Sequence, residues 1–152
     1  MSWFEEPVCV DDPSGMAEVR NSTDIPVALG ESLFTRFDFQ PFIAARAVDI
    51  LQPDPAIAGG ISEVWKIATM GSIHQLTLAP HLWGGAVLFA AGMQLAAALP
   101  NCITLEYSKG YNPLLRELVE EPVEIVEGQV AIPDRPGLGI TIREEFIREF
   151  GV

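Results

Sequence analysis

The chain has 152 residues, of which 49% are hydrophobic and 20% charged, a composition ordinary for one soluble globular domain. Its net charge is −12, and its only lysines are Lys66 and Lys109, which excludes a basic surface for nucleic acid or an anionic membrane. The acidity itself is compatible with a salt-adapted host or with a cluster of metal-binding carboxylates.

Cysteine content and the N-terminal residues bear on location. Cys9 and Cys102 are the only cysteines, too few for a disulfide-rich secreted domain, and we predict that both are buried free thiols. The first residues are acidic and lack the basic-then-apolar pattern of a secretory signal. The expected location is the cytoplasm.

Short apolar runs alternate with helical patterns along most of the chain. Most runs are apolar throughout, which is typical of strands in a parallel sheet covered by helices, and the alternation predicts right-handed βα units. The predicted strands are residues 3–4, 25–29, 47–51, 76–79 and 103–105, and the predicted helices follow Asp12-Pro13, span 37–47, follow Gly59-Gly60 and span 85–99.

The most apolar stretch, residues 82–99, is predicted to be a buried helix. It contains Gly84, Gly85, Gly92 and Gln94 and is shorter than the roughly 20 apolar residues that cross a bilayer.

The tail after residue 122 does not continue the βα pattern. Residues 124–126 and 130–132 flank Glu127-Gly128-Gln129, which predicts a β-hairpin. Prolines and glycines follow, and then the apolar run 140–142. We predict a partial βα barrel in residues 1–122 and a segment in residues 123–152 that packs outside it in a second subdomain.

One ionisable residue follows each predicted strand. They are separated by 26, 23, 27 and 25 residues, and in a βα barrel the carboxyl ends of the strands converge on the face where active sites form. This spacing places all five on one rim, although carboxylates also commonly begin loops. The five are Glu5, Glu31, Asp54, His81 and Glu106.

Two of these carboxylates suit a metal ion. Mg²⁺ prefers carboxylate oxygens and water, so Glu5 and Glu31 on neighbouring strand ends could share one ion. Glu6 competes with Glu5 for this role. Because adjacent residues on a strand point to opposite faces, we predict that Glu6 points away from the rim.

His81 and Asp54 form the candidate base. Asp54 follows Pro53 and His81 follows Pro80 one strand later, so a carboxylate beside the imidazole would fix its tautomer and raise its basicity. The alternative is that His81 caps a loop and Asp54 a helix. Glu106 could hydrogen-bond a substrate oxygen or be an unpaired surface residue.

Five segments together resemble the mandelate racemase and sugar-acid dehydratase branch of the enolase superfamily. The resemblance covers residues 3–142 and implies strands four to eight of a modified TIM (β/α)7β barrel, in other words its C-terminal half, with a C-terminal segment of the capping domain. The segments are Trp3-Phe4-Glu5-Glu6-Pro7, Ala28-Leu29-Gly30-Glu31, residues 49–54 with Gly59-Gly60, Pro80-His81-Leu82-Trp83-Gly84, and residues 132–139.

The resemblance also implies roles for the rim residues. Glu5 and Glu31 match two of three Mg²⁺ ligands, His81 with Asp54 matches the general base, and Glu106 matches the acid that hydrogen-bonds the substrate carboxylate. The muconate-lactonizing branch carries a lysine base near the sixth strand, but positions 54–65 contain no lysine.

The implied reaction removes the proton beside the carboxylate of a sugar acid or lactone. Dehydration is the expected outcome, with racemization or lactone cycloisomerization as alternatives from the same first step. A complete barrel needs roughly 250 residues. The chain is therefore expected to be a truncated gene product, a fragment or one part of a split enzyme, which needs the missing N-terminal half or a second copy as partner. An inactive fragment is the non-enzymatic alternative.

Overall fold

The computed structural model describes residues 1–150, and most of them form four consecutive βα units. In chain order the elements are β1 (Phe4–Glu5), α1 (Pro13–Asn21), β2 (Val27–Leu29), α2 (Thr35–Ala44), β3 (Ile50–Leu51), α3 (Ile61–Ile73), β4 (Thr77–Leu78) and α4 (Ala86–Ala98).

The four strands form one parallel sheet in the sequential order β1-β2-β3-β4. Glu5 pairs with Ala28 and Ala28 with Ile50, so the register runs across the sheet without a break. Each helix returns the chain to the next neighbouring strand, as in an arc of a βα barrel. The predicted parallel βα architecture is confirmed.

The two faces of the sheet bury different side chains. Val27, Leu29 and Leu51 pack with residues of the helices in the main core, because their side chains point to the helix-covered face. Ala28 and Ile50, which alternate with them, pack with Ala79 and Trp3 on the opposite face. This second face, which we call the inner face, corresponds to the interior of a barrel.

The predicted strand 103–105 is wrong as a strand. This run lies beside β4, where the Ile103 N–H donates to the Leu78 carbonyl at 2.9 Å and Leu78 bridges Cys102. The run has a neighbour on one side only, and the side chain of Ile103 is 54% exposed. The pairing with β4 is limited to one isolated bridge, so no strand forms over 103–105.

Helix α4 confirms the buried helix predicted within residues 82–99. Its buried residues include Phe89, Met93 and Leu95. A Cβ atom at Gly92 would lie 2.4 Å from a methyl carbon of Leu82, so the helix needs glycine there for its close approach to the loop. Within residues 1–150 no helix is long and apolar enough to cross a membrane.

The tail contains the predicted hairpin, formed by β5 (Ile125–Val126) and β6 (Gln129–Val130). Its turn consists of Glu127 and Gly128, both at positive φ, so Gln129 belongs to the strand and not to the turn. Two short helices that the sequence analysis missed, α5 (Pro113–Arg116) and α6 (Glu144–Phe150), flank the hairpin in sequence. Residues 151 and 152 of the predicted segment 123–152 lie outside the described residues.

The tail packs on α4. Val123, Val130 and Ile140 contact a cluster that includes Phe89 and Met93 of the helix. Beside them, hydrogen bonds from the Thr141 N–H and hydroxyl and from Arg135 lower the pKa of Glu121 to about 2. The tail thus lies against α4, while the division at residue 122 and the assignment of 123–152 to a second subdomain stay predictions.

Both cysteines are free thiols, as predicted, but neither is buried. Cys9 is exposed because it lies in the loop between β1 and α1. Cys102 is half-buried, and burial raises the pKa of its thiol.

Candidate active site

The carboxyl ends of the parallel strands form a rim, and the structure connects several of the predicted residues along it. His81, in the loop after β4, contacts Asp54 in the loop after β3 and Glu31 in the loop after β2. Glu106 contacts the same loop as His81, through the backbone N–H of Leu82. The common rim inferred from the regular spacing is therefore present around His81.

His81 and Asp54 make a direct hydrogen bond, with Nδ1 of the imidazole 2.9 Å from Oδ2 of the carboxylate. The Asp54 side chain is 4% exposed and that of His81 is 12% exposed. The other Asp54 oxygen accepts the Ala56 N–H at 2.7 Å, which orients the carboxylate. The predicted contact between the two side chains is confirmed.

This hydrogen bond determines the chemistry of the imidazole. A carboxylate can only accept, so Nδ1 carries a proton and Nε2 is left as the basic nitrogen. The hydrogen bond to Asp54 raises the pKa of His81, and the negative charges of Glu106 and Glu31 add to this, while burial opposes it. The arrangement leaves Nε2 as a nitrogen that can take a proton, and the role of His81 as a general base stays a prediction.

Replacing Asp54 with Asn is expected to lower the pKa of His81, because the variant removes the negative charge that stabilises the imidazolium and leaves at most a neutral acceptor for Nδ1–H. The imidazole should then lose its proton at a lower pH than in the wild-type chain. Titration of the imidazole signals by NMR measures this directly. His74, which is exposed and is the only other histidine, provides a control signal in the same spectrum. An unchanged His81 titration would show that Asp54 does not control the imidazole.

Glu31 lies on the other side of the imidazole. Its Oε2 is 3.5 Å from Nε2 of His81, so the predicted metal ligand and the predicted base are neighbours. Glu31 follows Gly30, which has φ of 140° and whose added Cβ would lie 2.6 Å from the Phe39 ring. Gly30 thus lets the chain turn tightly over the core and present Glu31 at the rim.

The prediction that Glu6 points away from the rim is wrong. Its Oε1 accepts the Gly30 N–H at 3.2 Å, and burial together with the charges of Glu31 and Glu5 raises its pKa. Strand alternation does not apply here because β1 ends at Glu5 and Glu6 has φ of 40°. The rim at β1 and β2 therefore holds three carboxylates.

Glu5 is held by two donors on the inner face. Its Oε2 accepts the Trp3 indole N–H at 2.9 Å and the Gln52 side-chain amide at 3.0 Å. A cavity of about 110 Å³ on this face is lined by Trp3, Glu5, Gln52, Ala79 and residues 104–106. Glu5 and Glu106 thus border the same space.

The donor chemistry of these carboxylates fits Mg²⁺, which prefers hard oxygen ligands. Burial, and to a smaller extent the charges of Glu31 and Glu5, raises the pKa of Glu6, and a nearby cation would oppose both effects. The described residues contain no preassembled group of three His, Cys, Asp or Glu ligands. Glu5 and Glu31 therefore suit part of a coordination shell, and their assignment as ligands stays a prediction.

Glu106 is exposed, and its Oε2 accepts the Leu82 N–H at 2.7 Å. The alternative that Glu106 is an unpaired surface residue is therefore wrong. Its hydrogen bond connects the run beside β4 to Leu82, the residue after His81. This contact was not predicted from the sequence, and neither were the hydrogen bonds of Gln52 and Trp3 with Glu5. The period of two along a strand was the available signal, since it places Trp3 on the same face as Glu5.

Comparison with known proteins identifies the family. The sequence model described as "Enolase C-terminal domain-like" matches residues 1–146. D-galactarolactone cycloisomerase of Agrobacterium fabrum is 41% identical, over 99% of this chain and 42% of the relative. Arabinonate dehydratase of Saccharolobus solfataricus is 36% identical, over 97% and 39%.

Solved structures agree with these relatives. A mandelate racemase/muconate lactonizing enzyme-like protein from a Roseovarius species superposes with a TM-score of 0.91 at 38% identity, over 97% of this chain and 37% of that protein. The chain therefore spans about two fifths of the length of the relatives it matches. The predicted fold class, the C-terminal half of the barrel, is confirmed, and the chain belongs to the enolase C-terminal domain-like family.

Proposed function

We propose that this chain carries the base side and part of the Mg²⁺ site of a sugar-acid dehydratase. The observation that carries the proposal is the position of His81, whose Nδ1 is fixed by Asp54 while Nε2 lies 3.5 Å from the candidate metal ligand Glu31. A base beside a cation site is what removal of a proton next to a carboxylate requires.

In the proposed reaction, Nε2 of His81 takes the proton from the carbon next to the substrate carboxylate. Asp54 stabilises the imidazolium that forms, and Glu106, in its acid form, donates a hydrogen bond to the substrate carboxylate from the oxygen that Leu82 does not occupy. The imidazolium of His81 then returns that proton to the β-hydroxyl, which leaves as water, and the product is an enol. The enol then becomes a 2-oxo acid by moving one proton from oxygen to carbon.

Glu5 and Glu31 would hold the Mg²⁺ ion, and Glu6 is close enough to both to contribute its charge. A bound Mg²⁺ would neutralise the negative charge that develops on the substrate carboxylate as the proton leaves. Members of the enolase superfamily generally bind Mg²⁺, so the cofactor is consistent with the family.

The substrate class follows from the relatives. One is named for arabinonate, a sugar acid, and one for galactarolactone, the lactone of a sugar acid. We propose a sugar acid as the substrate and dehydration as the reaction. Lactone cycloisomerization is the second candidate, because the relative of that name is 41% identical to this chain. The cytoplasmic location stays a prediction.

The partner is proposed to be the complementary N-terminal half of a barrel. The outer edge of β1 has no paired strand among residues 1–150, and the run 103–105 ends the opposite edge. Unpaired parallel edges favour association with further strands. A second copy of the chain is the competing partner, and an inactive fragment is the non-enzymatic alternative.

The reaction class is tested by assaying the chain, combined with the N-terminal half of the 41% identical relative, against sugar acids and their lactones with Mg²⁺. We expect a 2-oxo acid from at least one sugar acid, detected as its semicarbazone by absorbance. An isomerized lactone with no 2-oxo acid would instead support the cycloisomerase. A complex that shows the expected mass but converts neither class would overturn the proposed function.

A further inference from the structure

Gln52 is a buried polar residue to which neither the spacing of the strand ends nor the family resemblance gave a role. It directly follows β3, and only 5% of its surface is exposed. Its side-chain amide donates to Oε2 of Glu5 at 3.0 Å, although β2 lies between the two strands. The contact is possible because β2 places only the small Ala28 on the inner face.

The contact leaves the two oxygens of Glu5 in different states. Oε2 accepts both Gln52 and the Trp3 indole, whereas Oε1 makes no hydrogen bond within residues 1–150. A carboxylate held by two donors on one oxygen loses its rotational freedom and presents the other oxygen in a fixed direction. That free oxygen is the one available to a cation.

The same short segment also orients the base. Asp54, two residues after Gln52, holds Nδ1 of His81, and Pro53 between them restricts the backbone. The Gln52 N–H also donates to the Leu29 carbonyl at 2.8 Å, so the segment is anchored to the sheet. One rigid three-residue segment therefore contacts the cation side of the site and the base side.

We propose that Gln52 is a positioning residue, which fixes Glu5 for cation binding and sets its place relative to the His81–Asp54 pair. The inference rests on the proposed function, because it takes Glu5 as a ligand of the cation. It predicts that loss of the amide weakens cation binding at Glu5 without changing the histidine side.

The test uses Mn²⁺, which takes the same oxygen ligands as Mg²⁺ and broadens NMR signals of nearby protons. The Trp3 indole N–H donates a hydrogen bond to Glu5, so its signal reports a cation bound there. The indole of Trp65, on helix α3, gives the reference signal. The chain is isotope-labelled and combined with the unlabelled complementary N-terminal half, Mn²⁺ is titrated into this complex, and the concentration that halves each indole signal is recorded. Two variants change Gln52: Gln52→Met keeps the length of the side chain but removes the donor, and Gln52→Asn keeps an amide on a shorter side chain. Gln40→Met, at an exposed position of α2, is the matched control.

With the wild-type chain and with Gln40→Met, the Trp3 indole signal should broaden at a much lower Mn²⁺ concentration than the Trp65 signal. In Gln52→Met and Gln52→Asn, the concentration that broadens Trp3 should rise about tenfold, the usual effect of removing a hydrogen bond to a metal ligand. If Gln52→Met does not fold, as judged by its indole spectrum, Gln52→Asn decides. Preferential broadening of Trp3 that is equal in wild type and in the folded Gln52 variants would overturn the role of Gln52 alone. Equal broadening of the Trp3 and Trp65 signals in the wild-type complex would overturn the cation site at Glu5, and with it both proposals.

Discussion

Replacing His81 with Asn should lower turnover of the complete complex by about 10²–10⁴-fold, because that is what a positioned general base typically contributes. Asn keeps a polar side chain of similar size but has no basic nitrogen to take the proton. The Mg²⁺ affinity should remain close to that of the wild type, since His81 is not a proposed ligand. The rate is measured as 2-oxo acid formed at saturating substrate, and the affinity by titrating activity and tryptophan fluorescence with Mg²⁺.

His74→Asn is the matched control, because His74 is exposed at the end of α3, at the opposite end of β4 from His81. It should have wild-type turnover. The assignment of the base would be contradicted if the His81→Asn complex retained turnover of substrates with either configuration at the carbon next to the carboxylate. A loss of Mg²⁺ binding as large as the loss of turnover would instead assign His81 to the cation site.

The 152-residue chain by itself should show no measurable dehydratase or racemase activity, even with saturating Mg²⁺. A displacement of about 1 Å in a catalytic group can cost on the order of a hundredfold in rate, and loss of one stabilising donor can cost about as much or more. The described residues offer no preassembled three-ligand group, and the relatives are more than twice as long as this chain.

The measurement is turnover of the chain alone and of the chain mixed with a separately produced N-terminal half, at equal concentrations. Activity only in the mixture would establish the chain as half of an enzyme. Turnover by the chain alone, surviving repurification, would show that its site is complete and that the account of the missing ligand is wrong. The same mixture made with the His81→Asn chain controls for contaminating enzymes.

The sequence predicted the parallel βα pattern because each strand is a short apolar run between a helix and a loop. β2 illustrates this, since Val27, Ala28 and Leu29 are all apolar and all buried, so both faces of the strand are covered. The run 103–105 lies beside β4 but makes only one bridge with it, and the extent of pairing between strands is not encoded in the local sequence. Helix α6 was missed because its polar and apolar residues follow directly on the apolar run 140–142.

The candidate site was predictable where it depends on the spacing of strand ends. His81 and Asp54 are an example, since the barrel geometry brings neighbouring strand ends together whatever the loop details. Glu6 was not predictable, because its position depends on a positive φ after a two-residue strand. The contact of Gln52 with Glu5 crosses an intervening strand and depends on the small size of Ala28, which only the register reveals.

Exchange of the proton next to the substrate carboxylate with solvent deuterium tests the central claim most directly, because it reports the proposed first step whatever product follows. The complex of this chain with the complementary N-terminal half is incubated with Mg²⁺ and a sugar acid in D₂O, and the proton signal at that carbon is followed by NMR. We expect the signal to disappear with the wild-type chain and to persist with His81→Asn. Equal loss of the signal in both complexes would contradict the assignment of His81 and Asp54 as the base.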